Sequence, residues 1–212
     1  MSLPELHLAT VASVDAVRRH FPALRRRVAS RPVAYLDGPG GTQVPQQVID
    51  AMADYLAHHN ANTHWAYPTS VETDAIIAAS RTAVASLLGC AADEVVFGAN
   101  MTTLTFHLAR ALGRQWGPGD EVVVTELDHH ANVAPWQALA RERGITLRTV
   151  PFLPESGELD LDAMDRVLGP RTRLLAVGAA SNALGTISDV AAVRERARRV
   201  GALVFVDAVH LA

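Results

Sequence analysis

An α/β fold built on a mainly parallel sheet is what most of this chain predicts. Three observations carry that expectation. Short apolar runs recur at residues 95–97, 122–124, 147–150, 174–177 and 203–206. Helical stretches separate them, roughly at 102–115, 133–143, 161–168 and 190–200. Apart from Arg148 and Thr149, the runs are continuous and apolar, rich in Val and Leu, rather than alternating apolar and polar, as expected of strands covered on both faces. Strand–helix–strand repetition implies parallel neighbours joined by right-handed crossovers. Ligands of such sheets bind beyond the carboxyl ends of the strands, so those ends are where site residues are sought.

Before the first run the pattern is helical and turn-rich. Residues 14–29 read as an arginine-rich helix broken by Pro22, followed by a short apolar piece at 33–36 and the turn Asp37-Gly38-Pro39-Gly40-Gly41-Thr42. Pro45 suits the first turn of a helix reaching about His58. A second helix is expected over 70–88, with Ile76, Ile77, Val84, Leu87 and Leu88 on its apolar side and Gly89 as its stop.

Composition narrows the class. With 49% apolar and 19% charged residues over 212 positions, the chain reads as a soluble globular protein with a real core. A net charge of -3 offers no electrostatic case for nucleic acid or an anionic membrane. The single Cys90 excludes an intrachain disulfide and fits a reducing compartment. The opening MSLPELHLAT lacks a basic start and long apolar run, and no stretch approaches membrane-spanning length, so a cytoplasmic location is expected. All 19 basic residues are arginine. With no lysine, no side chain here can form a Schiff base by the usual lysine route.

The expected strand ends carry distinctive residues. Gly98-Ala99-Asn100-Met101-Thr102-Thr103 leads into a helix whose first free N–H groups could hold a phosphate, with an ordinary N-cap as the plain alternative. The next strand ends in Asp128-His129-His130-Ala131-Asn132. Adjacent imidazoles there offer an aromatic surface and a group titrating near neutrality. Their i, i+1 spacing is poor for a metal, and none is expected. Asn182, after the run at 174–177, could bind a ligand's polar edge or simply its own loop backbone. Asp207 directly follows an apolar strand, where a carboxylate needs a cationic or hydrogen-bonding partner. A protonated pyridine nitrogen would be one; the cap of a following helix is the other option.

Taken in order, Tyr35-Leu36-Asp37, Glu126-Leu127-Asp128-His129-His130-Ala131-Asn132-Val133-Ala134-Pro135-Trp136, Ser181-Asn182-Ala183-Leu184-Gly185-Thr186 and Val206-Asp207-Ala208-Val209-His210 resemble the class V aminotransferase family. The HHAN-x-x-PW stretch points towards its cysteine desulfurase/selenocysteine lyase branch. The resemblance implies the large domain of a fold-type-I pyridoxal phosphate enzyme, with residues 1–32 as an N-terminal helical segment and 33–212 as the N-terminal portion of that domain. It implies roles as well. His129 would stack on the pyridine ring and take part in proton transfer. Asp207 would pair with the ring nitrogen, Asn182 and His210 would lie near the phenolic oxygen, and Met101 and Thr102 would hold the phosphate. The Gly38–Thr42 turn would lie near the substrate carboxylate. Desulfuration of an amino acid is the leading expectation, with epimerisation, transamination or a non-catalytic homologue as alternatives, and a homodimer is expected of the complete protein.

Several departures from the family pattern stand out. Desulfurases commonly carry Gln where this chain has His210, and an Ala/Ser-rich turn where it has Gly38-Pro39-Gly40-Gly41. The family's Schiff-base lysine lies further along than the position matching Asp207, and this chain ends at Ala212. Two later strands of the family sheet would sit between the run at 95–97 and that at 203–206. Without them the former has no sheet neighbour and the latter an open edge. The expectation is therefore an incomplete domain, part of a longer enzyme. A dinucleotide-binding fold is disfavoured because no Gly-x-Gly-x-x-Gly follows the first run.

Overall fold

The computed structural model describes residues 12–211, which divide into two compact units at Val96/Phe97. In the first unit, α1 (Val14–Arg19) is capped by the Ser13 hydroxyl, which accepts the Ala16 N–H. The arginine-rich helix expected over 14–29 ends there. Pro22 opens a 3-10 turn (Pro22–Arg25), because it cannot donate the next helical hydrogen bond. The chain then forms a two-stranded ribbon, β1 (Arg27–Val28) and β2 (Arg31–Pro32). Ala29 and Ser30 turn that ribbon at φ of 47° and 63°. Of the segment 1–32 expected to be helical, residues 12–32 are thus only partly so, and residues 1–11 lie outside the described residues.

Pro45 precedes α2 (Gln46–Asp54), which widens into a π-turn over Tyr55–His59. The longest helix, α3 (Pro68–Leu88), stops at Gly89 in the left-handed conformation, as the sequence predicts. Residues 95–97 do not form the expected strand. Val95 is extended and buried, but no ladder forms, because no strand among the described residues lies alongside it.

The second unit begins with α4 (Met101–Leu112) and is organised by a four-stranded sheet. Its strands are β3 (Glu121–Thr125), β4 (Thr146–Val150), β7 (Thr172–Gly178) and β8 (Leu203–Asp207), and a small hairpin, β5 (Phe152–Leu153) with β6 (Glu158–Leu159), lies outside it. The order is β4-β3-β7-β8 and every pair is parallel. The crossover helices are α5 (Ala134–Arg143), α6 (Leu161–Val167) and α7 (Val190–Arg199).

Alternate residues of the central strands feed two separate cores. Val122, Val124, Leu174 and Ala176 pack with Ala109, Trp136 and Leu139 of α4 and α5. Val123, Leu175 and Val177 pack on the other face with Met164, Val193 and Ala197 of α6 and α7. Both faces of β3 and β7 are covered, so their continuous apolar runs are accounted for. The outer strand β8 is less protected: Leu203 and Val206 remain 52% and 37% exposed.

Candidate active site

The carboxyl ends of β3, β7 and β8 lie side by side, and the sequence-predicted site residues leave from them or stand at the start of α4. Asn100 caps α4, accepting the Thr103 N–H at 2.8 Å. The plain N-cap role therefore belongs to Asn100. Among the described residues the N–H groups of Met101 and Thr102 have no protein acceptor, and Thr102 is exposed. The approach to this helix is tight: a Cβ on Gly98 would lie 2.5 Å from Leu104 Cδ2, so glycine lets the backbone turn closely there. A helix start with two free N–H groups and a hydroxyl is suited to an anion.

The turn after β3 is held by a carboxylate that sequence reasoning did not single out. Asp128 Oδ2 accepts the Thr125 N–H at 3.0 Å and its hydroxyl at 2.7 Å. Asp128 Oδ1 accepts the Asn132 amide at 2.8 Å. Burial raises the Asp128 carboxyl above its ordinary value of 3.8, against the opposing pull of the Thr125 and Asn132 hydrogen bonds. Its oxygen also lies close to β7, 3.3 Å from where a Cβ on Gly178 would stand. The signal available in the sequence was spacing: Asp128 comes three residues after Thr125 and four before Asn132.

This clamp shapes the surroundings of His129. The His129 Nδ1 accepts the Ala131 N–H at 3.1 Å, so a neutral ring carries its proton on Nε2. Both His129 and His130 are exposed. The rest of the HHAN-x-x-PW stretch is architectural. Asn132 is fully buried, Pro135 lies in the first turn of α5, and Trp136 is completely buried with its ring edge-on to Phe205 at 5.6 Å.

After β7 the loop is organised by Ser181, whose hydroxyl accepts the N–H groups of Ala183 and Leu184 at 3.3 and 3.2 Å. Asn182 is half-buried and its side chain makes no hydrogen bond among the described residues, so the loop-bonding role falls to its neighbour. Asp207 closes β8 in register with Gly178, and its backbone carbonyl accepts the Ala179 N–H at 2.8 Å. One carboxylate oxygen accepts the Val209 N–H at 3.1 Å within a turn rather than a helix. The second oxygen has no partner among the described residues. His210 is exposed in the same turn.

The sheet order sets the relation between these groups. The turn bearing His129 and the end bearing Asp207 flank the β7 loop bearing Asn182, two strand spacings apart, about 10 Å. On the side of the histidine turn, α4 packs against residues His130–Asn132. The Gly38–Thr42 turn belongs to the first unit, where Asp37 Oδ1 accepts the Gly40 N–H.

As a donor set this suits pyridoxal phosphate held without a covalent link. It offers free N–H groups for a phosphate, an imidazole for a ring face, an amide for an oxygen and an unpartnered carboxylate oxygen for a protonated ring nitrogen. A lysine is the one element the chain cannot provide.

Residues 34–212 match the family model of class V aminotransferases. A cysteine desulfurase of Pectobacterium atrosepticum is 40% identical over 197 residues, which span 92% of this chain and 48% of that protein. The apo structure of a cysteine desulfurase from Thermococcus onnurineus NA1 is similar with a TM-score of 0.83 and 30% identity, over 95% of this chain and 48% of that one. A C-DES variant with glycine covalently linked to its pyridoxal phosphate cofactor gives a TM-score of 0.76 at 25% identity, over 92% and 50%. The chain thus spans about half the length of these relatives. With the family model running from Ala34 onward through the histidine turn, the Asn182 loop and Asp207, the chain belongs to the class V aminotransferase family.

Proposed function

We propose that this chain carries the cofactor-holding part of a pyridoxal phosphate enzyme that acts on an amino acid, cleaving a carbon–sulfur or carbon–selenium bond as a cysteine desulfurase does. The activity would belong to a longer protein that includes residues 33–212 in its large domain. The observation that carries this reading is the gathering of His129, Asn182 and Asp207 at the ends of three adjacent parallel strands, with the open helix start at Met101 in the same unit. The similarity to cysteine desulfurases and to a cofactor-bearing C-DES structure supports the choice of cofactor and reaction.

Bound pyridoxal phosphate supplies an electron sink that lets a bond beside the substrate's amino group break. The chain's own residues would bind and tune it. The unpartnered oxygen of Asp207 would keep a ring nitrogen protonated by ion pairing. His129 would cover a ring face and hold or move a proton at Nε2. The Asn182 amide and His210 would face the ring's oxygen, and the N–H groups of Met101 and Thr102 would bind the phosphate. A covalent link of the family's kind needs a lysine from outside these 212 residues. A homodimer and a cytosolic location complete the proposal. Among the described residues no helix is long and apolar enough to cross a membrane.

Titrating pyridoxal phosphate into the purified chain tests the site. A saturable thermal upshift is expected, lost in Asp207→Ala and His129→Ala and reversed by dialysis. No shift in the parent chain would sink the cofactor assignment. Joined to a lysine-bearing remainder of the fold, the chain is expected to turn over cysteine, and binding without turnover in that longer protein would overturn the reaction proposed.

A further inference from the structure

We propose that the arginine-rich segment of the first unit is a docking surface for an acidic segment of another protein, one that carries apolar side chains among its carboxylates. Arg18, Arg19, Arg25, Arg26, Arg27 and Arg31 fall within 14 residues, and Asp15 is the only acidic residue between positions 12 and 36. All six are exposed. None has a carboxylate within 4.0 Å among the described residues.

Elsewhere, eight of the 13 arginines have a carboxylate within 4.0 Å among the described residues. Arg110 pairs with Glu142 at 3.0 Å, Arg171 with Glu121 at 2.9 Å and Arg173 with Asp120 at 2.7 Å. Residues 37–212 hold 13 arginines against 20 acidic residues. Positive charge is therefore concentrated at one end of a net negative chain. Like charges gathered in one short segment repel one another, and an outside anion relieves the repulsion.

The segment is also shaped. The Arg27 guanidinium donates to the Ser30 carbonyl across the β1–β2 turn, which ties that ribbon to one form. The Tyr35 hydroxyl donates to the Ala23 carbonyl at 3.2 Å and anchors the chain after the ribbon to the 3-10 turn. In the same segment a cleft is lined by Val17, Arg18, Phe21, Leu24 and Tyr35 together with residues of the 37–43 turn. Asp37, which also lines it, is engaged by the Gly40 N–H at 3.1 Å.

A partly apolar cleft with Arg18 in its lining, on a segment carrying five further exposed arginines, fits an aliphatic or aromatic side chain flanked by carboxylates. Arginine's planar fork pairs with carboxylates through two parallel hydrogen bonds. Nucleic acid would also attract these arginines. The chain's overall negative charge opposes a long polyanion, however, and favours a short acidic segment confined to the patch.

The test is fluorescence anisotropy at low ionic strength, titrating the whole chain into a labelled peptide, Glu-Glu-Asp-Leu-Phe-Glu-Asp-Glu. Saturable binding is expected, weakened at least about tenfold in the triple variant Arg18→Glu/Arg25→Glu/Arg26→Glu and by added salt. Replacing the peptide's Leu and Phe with Ser should cost about tenfold through the cleft. The neutral triple variant Arg18→Gln/Arg25→Gln/Arg26→Gln gives the same ordering without adding repulsion, and Arg81→Glu on α3 should change nothing. Absence of saturable binding, or equal binding by both triple variants and the parent, would overturn the proposal. So would tighter binding of a thymidine-only oligonucleotide, which would make this a nucleic-acid surface.

Discussion

The two units handle the same residue types in opposite ways. In the second, Val122, Val123, Leu175 and Val177 are completely buried between helices on either side of the sheet. In the first, neither α1 nor α2 has a buried residue, and Val48 and Met52 of α2 and Leu56 of the π-turn after it are 42%, 61% and 66% exposed. Arginine differs as well: Glu121, only 5% exposed, is answered by Arg148 and Arg171, whereas Arg18 to Arg31 have no carboxylate within 4.0 Å among the described residues. The lesson is that amphipathic pattern alone does not bury a helix. A second layer must be present to receive the apolar stripe, and ion pairs form where that layering brings distant segments together.

The sharpest way to break this contrast is a matched pair of truncations. Leu175→Ala should cost about 2–5 kcal/mol in urea unfolding, because it opens a cavity inside a fully packed face. Met52→Ala should cost within about 0.5 kcal/mol. If the two were equal, the apolar face of α2 would be covered in solution, and the contrast would belong to the isolated chain only.

A smaller effect is expected at the clamp below the histidine turn. Asp128→Ala leaves the Thr125 N–H and the Asn132 amide without an acceptor, at a cost of about 1–3 kcal/mol. Burial raises the Asp128 carboxyl above 3.8, so the folded state holds this proton more tightly than the unfolded one. The resulting stabilisation is complete below the ordinary value and is lost as pH rises through the raised value. Unfolding measured across that window should move in favour of Asp128→Asn as pH increases, and a difference independent of pH would contradict the direction.

The smallest effect lies in the first unit. The π-turn at Tyr55–His59 lets His58 and His59 both reach Asp54, at 2.9 and 3.3 Å, while His59 Nδ1 meets Glu72 of α3 at 2.6 Å. The Glu72 hydrogen bond, joined by the charges of Glu72 and Asp54, raises His59 above its ordinary 6.5. This link between α2 and α3 is present below 6.5 and lost as pH rises through the raised value. An NMR titration of His59 should show the higher midpoint, and Glu72→Gln should bring it back towards 6.5. An unchanged midpoint in that variant would assign the shift elsewhere.

Much of the second unit was legible in the residue order. The runs at 122–124, 174–177 and 203–206 each became a parallel strand, because continuous apolar residues have few alternatives once helices flank them, and 147–150, interrupted by Arg148 and Thr149, became an edge strand. Residues 95–97 carry the same kind of run and form no strand. A β-run specifies half a ladder, and pairing needs a neighbour that local composition cannot supply. His129, Asn182 and Asp207 were visible because each follows a strand, where polar residues are conspicuous. Asp128 and Ser181 were not, since their work consists of hydrogen bonds to groups that only the folded turns bring near.

The sequence by itself determined the sheet's strands, the family pattern of their carboxyl ends and the absence of lysine, because these depend on residue type and local periodicity. Only the tertiary structure decided the strand order that sets the histidine turn and Asp207 on either side of the Asn182 loop. It also decided which polar groups spend their hydrogen bonds internally and which remain free for a ligand. Those outcomes rest on long-range pairing, where a residue's role is set by neighbours remote in the chain.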